Sequence, residues 1–166
     1  MNMAHFPVIY TTGVYGCTEK EFFERLIKNN IDCFCDIRRR RAVRGPEYSF
    51  VNSQRLQDRL ALLSIQYLYE PGLAPTTEIM NIQKGFDEKN KVPRRKRETL
   101  SETFKTAYIK QILSQFNMKE LFARFETLNK KNIVFFCVEK FAEACHRSLV
   151  THKIQELYPK IKVINL

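Results

Sequence analysis

Apolar residues along the chain alternate between two spacings. A run of strand character, Val8 to Thr11, is broken by Gly13 and Gly16. From Thr18 the period lengthens. Phe22 and Leu26, and Phe23 and Ile27, stand at i,i+4 spacing, and Thr18 with Glu21 forms a capping box, so a helix is predicted to about Asn29. Ile31 to Ile37 reads as a second strand. Ser53 is the predicted cap of a helix whose Leu56, Leu60 and Leu63 share one stripe, and Ile65 to Tyr69 reads as a third strand stopped by Pro71 and Gly72. From Ala74 to Arg97 the periodicity fades among Pro75, Gly85, Pro93 and many charges, which predicts an irregular basic insertion or lid over 74–97. Helical spacing returns with Leu100, Phe104 and Tyr108, and again with Leu121, Phe125 and Leu128. A fourth strand covers Ile133 to Val138, a further helix carries Val150, Ile154 and Leu157, and Lys162 to Asn165 is a fifth strand.

Strands separated by helices pair in parallel through right-handed crossovers. The predicted fold class is therefore α/β: a single three-layer domain over residues 1–166, with a mostly parallel five-stranded sheet flanked by helices. This topology bears on function, because all strands of a parallel sheet end on one edge. Thr12 and Tyr15 follow strand one, Asp36 and Arg38 strand two, and Glu70 strand three. Cys137, Glu139, Cys145, His146 and Arg147 follow strand four. Groups scattered along the chain are expected to meet in one concave site at that edge.

Charge adds a second element. The chain has 28 basic and 18 acidic residues, a net charge of +10. Arg38, Arg39, Arg40, Arg41 and Arg44 form one cluster, and Lys91, Arg94, Arg95, Lys96 and Arg97 another. Such clusters attract phosphate-rich partners without reading sequence. Nucleic-acid contact is expected through Arg39, Arg40, Arg41, Arg44, Arg94, Arg95, Lys96 and Arg97, with Phe86 and Tyr48 as stacking groups; the bland alternative is a solvated surface. The five cysteines are an odd number, and Cys33, Cys35 and Cys137 lie in apolar runs, so reduced thiols in a cytoplasmic protein are expected. No apolar run approaches membrane-spanning length, and MNMAHFPVIY has neither the charged start nor the cleavage site of a leader. The partner expected is thus an anionic small molecule or nucleic acid and no membrane, with the oligomeric state unassigned.

The candidate catalytic groups are Cys145, His146, Glu139 and Asp36. Cys145, predicted at a helix start beside His146, is either an activated thiolate or a small buried filler. His146 shares a helix face with Val150 and so points partly inward. With Glu139 and Asp36 nearby it is placed for proton transfer. His5 and His152 are given no role. Arg38 and Arg147, with Thr12 and Tyr15, make up the candidate anion site, the two arginines either clamping an anion or pairing with Asp36 or Glu139. Zinc on Cys137, Cys145 and His146 with Glu139 as base has suitable ligand types. Cys-x7-Cys-His matches no recognised ligand spacing, however, so no metal or other cofactor is predicted and zinc is left open.

Four segments carry a family resemblance: TTGVYG at Thr11 to Gly16, IDCFCDIR at Ile31 to Arg38, YSF at Tyr48 to Phe50, and CVEKFAEACHR at Cys137 to Arg147. With them the chain resembles the bacterial and archaeal domain of unknown function 488 family over essentially its whole length. The specific part is Cys-x-Glu followed by Cys-His-Arg. The resemblance implies an α/β fold and a shared pocket. Two departures stand out: Arg39, Arg40 and Arg41 replace the family's Pro-x-Ser segment, and its Leu-Gly-Gly appears here only as Pro71, Gly72 and Leu73. The expected function is a small intracellular enzyme with an anion-binding pocket and a reactive Cys145, the alternative being a nucleic-acid-binding module. Rhodanese-like sulfur transfer and Cys-dependent phosphatase chemistry are the nearest analogies, although the phosphatases' glycine-rich Cys-x5-Arg loop is absent.

Overall fold

The computed structural model describes residues 6–166. His5 and the first residues of the segment read for a leader lie outside the described residues. Five strands form one all-parallel sheet: β1 (Val8–Thr12), β2 (Cys33–Asp36), β3 (Gln66–Tyr69), β4 (Asn132–Phe136) and β5 (Val163–Asn165), in the order β3-β2-β4-β1-β5. Among the described residues six α-helices flank it in a three-layer α/β domain: α1 (Glu19–Lys28), α2 (Ser53–Leu62), α3 (Thr77–Lys89), α4 (Glu102–Tyr108), α5 (Met118–Thr127) and α6 (His146–Leu157). No helix among them is long and apolar enough to cross a membrane.

Central strands of such a sheet are covered on both faces and read as continuous apolar runs. β4 is the clearest case: Ile133, Val134, Phe135 and Phe136 are all fully buried. Phe136 packs on Phe34 of β2 and Phe22 of α1, with ring centroids 5.1 and 5.5 Å away. Fully burying one such ring stabilises by roughly 1.5–3 kcal/mol. The predicted capping box on α1 is present, Thr18 accepting from the Glu21 amide and Glu21 from the Thr18 amide.

Register sets up the site. Thr12 pairs with Phe136 across β1–β4, and Asp36 pairs with Phe136 across β2–β4, so three strand ends stand side by side. β4 lies between β1 and β2. The chain leaves β1 toward β2 but leaves β4 toward β5 on the far side of β1. The two connections run to opposite sides, yet the loops after β1 and β4 stay in contact: the Val14 and Tyr15 amides both donate to the Val138 carbonyl, at 3.1 Å each, and together the loops form one edge of the site at the carboxyl ends of the strands.

Two local expectations are corrected. Ser53 is the first residue of α2 and not its cap. Asn52 precedes it, and no side chain caps this helix, because the Asn52 side-chain Oδ1 accepts instead from the Val43 amide at 2.6 Å. The segment 74–97 is not irregular. It holds the 13-residue α3, capped by Thr76, whose hydroxyl accepts from the Ile79 amide. Its buried stripe is Ile79, Gln83 and Asp87, two of them polar, so apolar periodicity could not reveal it.

Candidate functional site

A cleft of about 920 Å³ opens at the carboxyl edge of the sheet. Its floor holds Arg38 from the loop after β2, Cys137 and Glu139 from the loop after β4, and Cys145 and His146 at the start of α6. Tyr15, after β1, also reaches it. One wall is α3, through Met80, Asn81 and Lys84. The expected meeting of strand ends thus brings together Tyr15, Arg38, Glu139, Cys145 and His146. Thr12, Asp36 and Arg147 lie near it but do not line the cleft.

Cys145 sits at the N-cap position of α6 with an extended backbone, and its thiol does not cap the helix. Its Sγ lies 3.7 Å from His146 Nδ1. His146 Nε2 lies 3.1 Å from the Ile37 carbonyl oxygen. A carbonyl only accepts, so Nε2 carries the proton, and in the neutral imidazole Nδ1 is the acceptor facing the thiol. Burial by itself pushes the Cys145 thiol up. The neighbouring Cys137 thiol, His146 and Arg147 outweigh it and hold Cys145 well below the ordinary thiol range. Cys137 is driven the opposite way, first by its hydrogen bond to Cys145 and then by burial. Burial also raises Cys33, to about 12, and Cys17. All five cysteines are free thiols.

Asp36 is fully buried beneath the cleft. Arg38 grips it bidentately, Nε to Oδ1 at 2.8 Å and Nη2 to Oδ2 at 2.7 Å, and Tyr67 donates to Oδ2 at 2.8 Å. The Arg38 amide adds a further donor. A carboxylate with four donors is an anchor, so Asp36 positions Arg38 and has no free lone pair turned to the cleft. Arg38 in turn lies over the Phe136 ring, its guanidinium carbon 4.6 Å from the centroid. Its Nη1 is buried and has no protein partner.

Glu139 is held by two cations. Arg94 Nε donates to Oε1 at 2.7 Å, and Arg97 Nη2 lies 3.4 Å from the same oxygen. Burial still dominates and raises the Glu139 carboxyl above its ordinary value, against the pull of Arg94. Arg147 Nη1 donates to the Glu139 carbonyl at 2.6 Å and Nη2 to the Lys140 carbonyl at 3.0 Å. Of its two expected roles, neither the anion clamp nor the side-chain ion pair describes these contacts: Arg147 braces the backbone of the loop after β4. The Thr12 hydroxyl likewise turns to the Gly13 carbonyl.

The basic clusters divide. Arg39, Arg40 and Arg44 border the cleft on one side and Lys91 and Arg94 on another. Arg97 is buried and donates to Asp87 at 2.7 Å and to the Ala144 carbonyl, so it ties α3 to the site and is not a surface contact. Arg41 stacks over Tyr69 at 4.3 Å. Arg95 lies over the Tyr15 and Tyr48 rings, 5.0 and 5.4 Å from their centroids. Lys96 is exposed away from the cleft. Tyr48 is buried and accepts from the Gly16 amide through its hydroxyl, whereas Phe86 is half exposed on α3.

The α3 wall carries no apolar periodicity, its buried residues being Ile79, Gln83 and Asp87. Gln83 accepts from the Ser101 amide and donates to Asp87, which links α3 to the start of α4. The signal that marks this helix is local, namely Thr76 at the cap and Lys84 with Glu88 at i,i+4 spacing. Comparison with the curated proteins and with the solved structures finds no significant match. The family model described as Domain of unknown function DUF488 matches residues 18–154, most of the chain including the Cys-His-Arg corner, and the chain belongs to that family.

Proposed function

We propose that the protein is an enzyme acting on a phosphate-bearing substrate, with Cys145 as its nucleophile. The observation that carries this is the Cys145–His146 pair. Nδ1 is 3.7 Å from the thiol while Nε2 is held on the Ile37 carbonyl. When the proton passes from Sγ to Nδ1, both ring N–H groups of the imidazolium keep a partner, one the thiolate and the other the carbonyl. Arg38, with Nη1 free of protein partners, and the basic border of the cleft hold the anion.

In this reading the thiolate attacks phosphorus. An S–P bond forms, the P–O bond to the leaving group breaks, and Glu139 in its protonated form gives that oxygen its proton. Water then cleaves the S–P bond, Glu139 takes the water proton, and the thiolate is restored. The elevated affinity of Glu139 for a proton suits this exchange. The test is turnover of a panel of phosphomonoesters, phosphodiesters and nucleotides by the reduced, chelator-stripped protein. Turnover is expected and is lost in Cys145→Ser. Absence of turnover, or turnover equal in the variant, would overturn the nucleophile assignment.

A second reading, a nucleic-acid-binding module, is favoured by one observation: residues of both basic clusters border the same cleft. A nucleic acid bound by the unaltered protein and by Cys145→Ser alike, with no turnover of any member of the panel, would support it.

A further inference from the structure

The geometry points to a site for one soft divalent metal ion, zinc in chemical class, held by Cys137, Cys145 and His146 and open to the cleft. This goes beyond the thiolate reading and does not depend on it. Cys137 is the group that reading leaves unused.

The ligand atoms of the three residues lie within 4.8 Å of one another, and all three residues are buried. Zinc bonds of about 2.3 Å to sulfur and about 2.0–2.1 Å to nitrogen at tetrahedral angles require an S···N separation of about 3.6 Å. Cys145 Sγ and His146 Nδ1 are 3.7 Å apart. The imidazole is already oriented as a ligand. Nε2 donates to the Ile37 carbonyl, which leaves Nδ1 as a lone-pair donor and supplies the outer hydrogen bond that metal-bound histidines carry. The ligand positions are also rigidly placed. The Cys137 amide donates to the Thr12 carbonyl and the Cys145 amide to the Ala142 carbonyl, so backbone bonds fix the points from which both thiols project.

Charge permits the ion. Two thiolates neutralise a divalent cation. Three nearby guanidinium groups are paired, Arg38 with Asp36, Arg94 with Glu139, and Arg97 with Asp87, and Arg147, which donates to the Glu139 and Lys140 carbonyls, keeps a positive charge that favours the thiolate form of the ligands. Three protein ligands leave a fourth tetrahedral position. Because Cys137, Cys145 and His146 all line the cleft, that position faces it, the arrangement of a catalytic or regulatory zinc and not of a closed structural one. An ion here withdraws Cys145 from nucleophilic attack. The set is the one named from the sequence; its spacing matches no recognised ligand motif because the ligands come from the end of β4 and the start of α6.

The experiment uses the full chain, reduced and chelator-stripped, titrated with Co²⁺ and then with Zn²⁺. One ion per chain is expected, with the near-ultraviolet sulfur-to-cobalt band and the intense visible bands of tetrahedral cobalt. Zn²⁺ should displace the cobalt and should protect Cys137 and Cys145, but not Cys17, from alkylation in the unaltered protein. Cys137→Ser should lose about half of the sulfur band and bind at least tenfold more weakly, while Cys17→Ser binds as the unaltered chain does. The proposal is overturned by the absence of stoichiometric binding, by a cobalt spectrum without the sulfur band, by unchanged affinity in Cys137→Ser, or by equal alkylation with and without zinc. The spectrum is read without substrate, so its failure is distinct from the failure of Cys145-dependent turnover.

Discussion

His146 Nε2 lies 3.1 Å from the carbonyl oxygen of Ile37, a hydrogen bond between the start of α6 and the end of β2 across 109 positions of sequence. It fixes the ring's proton on Nε2 and turns Nδ1 to Cys145. The tautomer of the candidate base is thus set by backbone, and by the same strand whose end carries the Asp36–Arg38 pair.

Thiol reactivity should follow this arrangement. In the chelator-stripped protein the alkylation rate of Cys145 should already be near its plateau at neutral pH, because its neighbours hold it below the ordinary thiol range and the thiolate persists as pH falls. Cys17, raised by burial, should react slowly at neutral pH and climb through the alkaline range. Mass-spectrometric labelling across pH measures both. Parallel profiles for the two cysteines would remove the activation argument.

Asp36→Ala should destabilise the fold by about 3–5 kcal/mol, since it leaves the buried Arg38 guanidinium without its counter-charge. Asp36→Asn, which keeps shape and partial acceptance, should lose less. Denaturant unfolding midpoints compare the two. A loss below 1 kcal/mol for the alanine variant would mean that Arg38 finds another partner or water.

Gly13→Ala tests the close approach of the loops after β1 and β4. A Cβ at Gly13 would collide with the carbonyl oxygen of Glu139 and stand 3.2 Å from Arg147 Nη1. The obstacle is backbone braced by Arg147 and not a movable side-chain tip, so a destabilisation of at least about 2 kcal/mol is expected. Gly85→Ala, where the Cβ would meet nothing within 4 Å, is the control and should be neutral or stabilising on helix propensity.

Phosphate contact should be electrostatic. Replacing Arg40, Arg44 and Lys91 together with alanine should weaken binding of a single-stranded oligonucleotide and lower the slope of log affinity against log salt by up to about 2. All three side chains are exposed at the border of the cleft and take part in no ion pair among the described residues, so the melting temperature should not move. A full salt slope in the triple variant would place the phosphate track elsewhere.

Much of this protein is legible from its sequence because its strands and most helices obey simple periods. Ile133 to Phe136 is apolar throughout because a central parallel strand is covered on both faces, and Thr18 with Glu21 marks a helix start by local bonds alone. Strand–helix alternation then determined the parallel sheet and the edge at which the site lies. Only tertiary structure decided which groups face the cleft. Asp36 ends β2 and Arg38 follows two residues later, yet four donors bind Asp36 beneath the surface while Arg38 reaches the cleft. Arg97 and Arg40 look alike in a basic run, but one is buried on Asp87 and the other exposed. α3 was hidden because its buried face is polar, with Gln83 and Asp87 satisfied by Ser101 and Arg97, partners that lie outside the helix. A periodic pattern reports how much of an element is covered by other residues; which polar partner waits there is a property of the assembled chain alone.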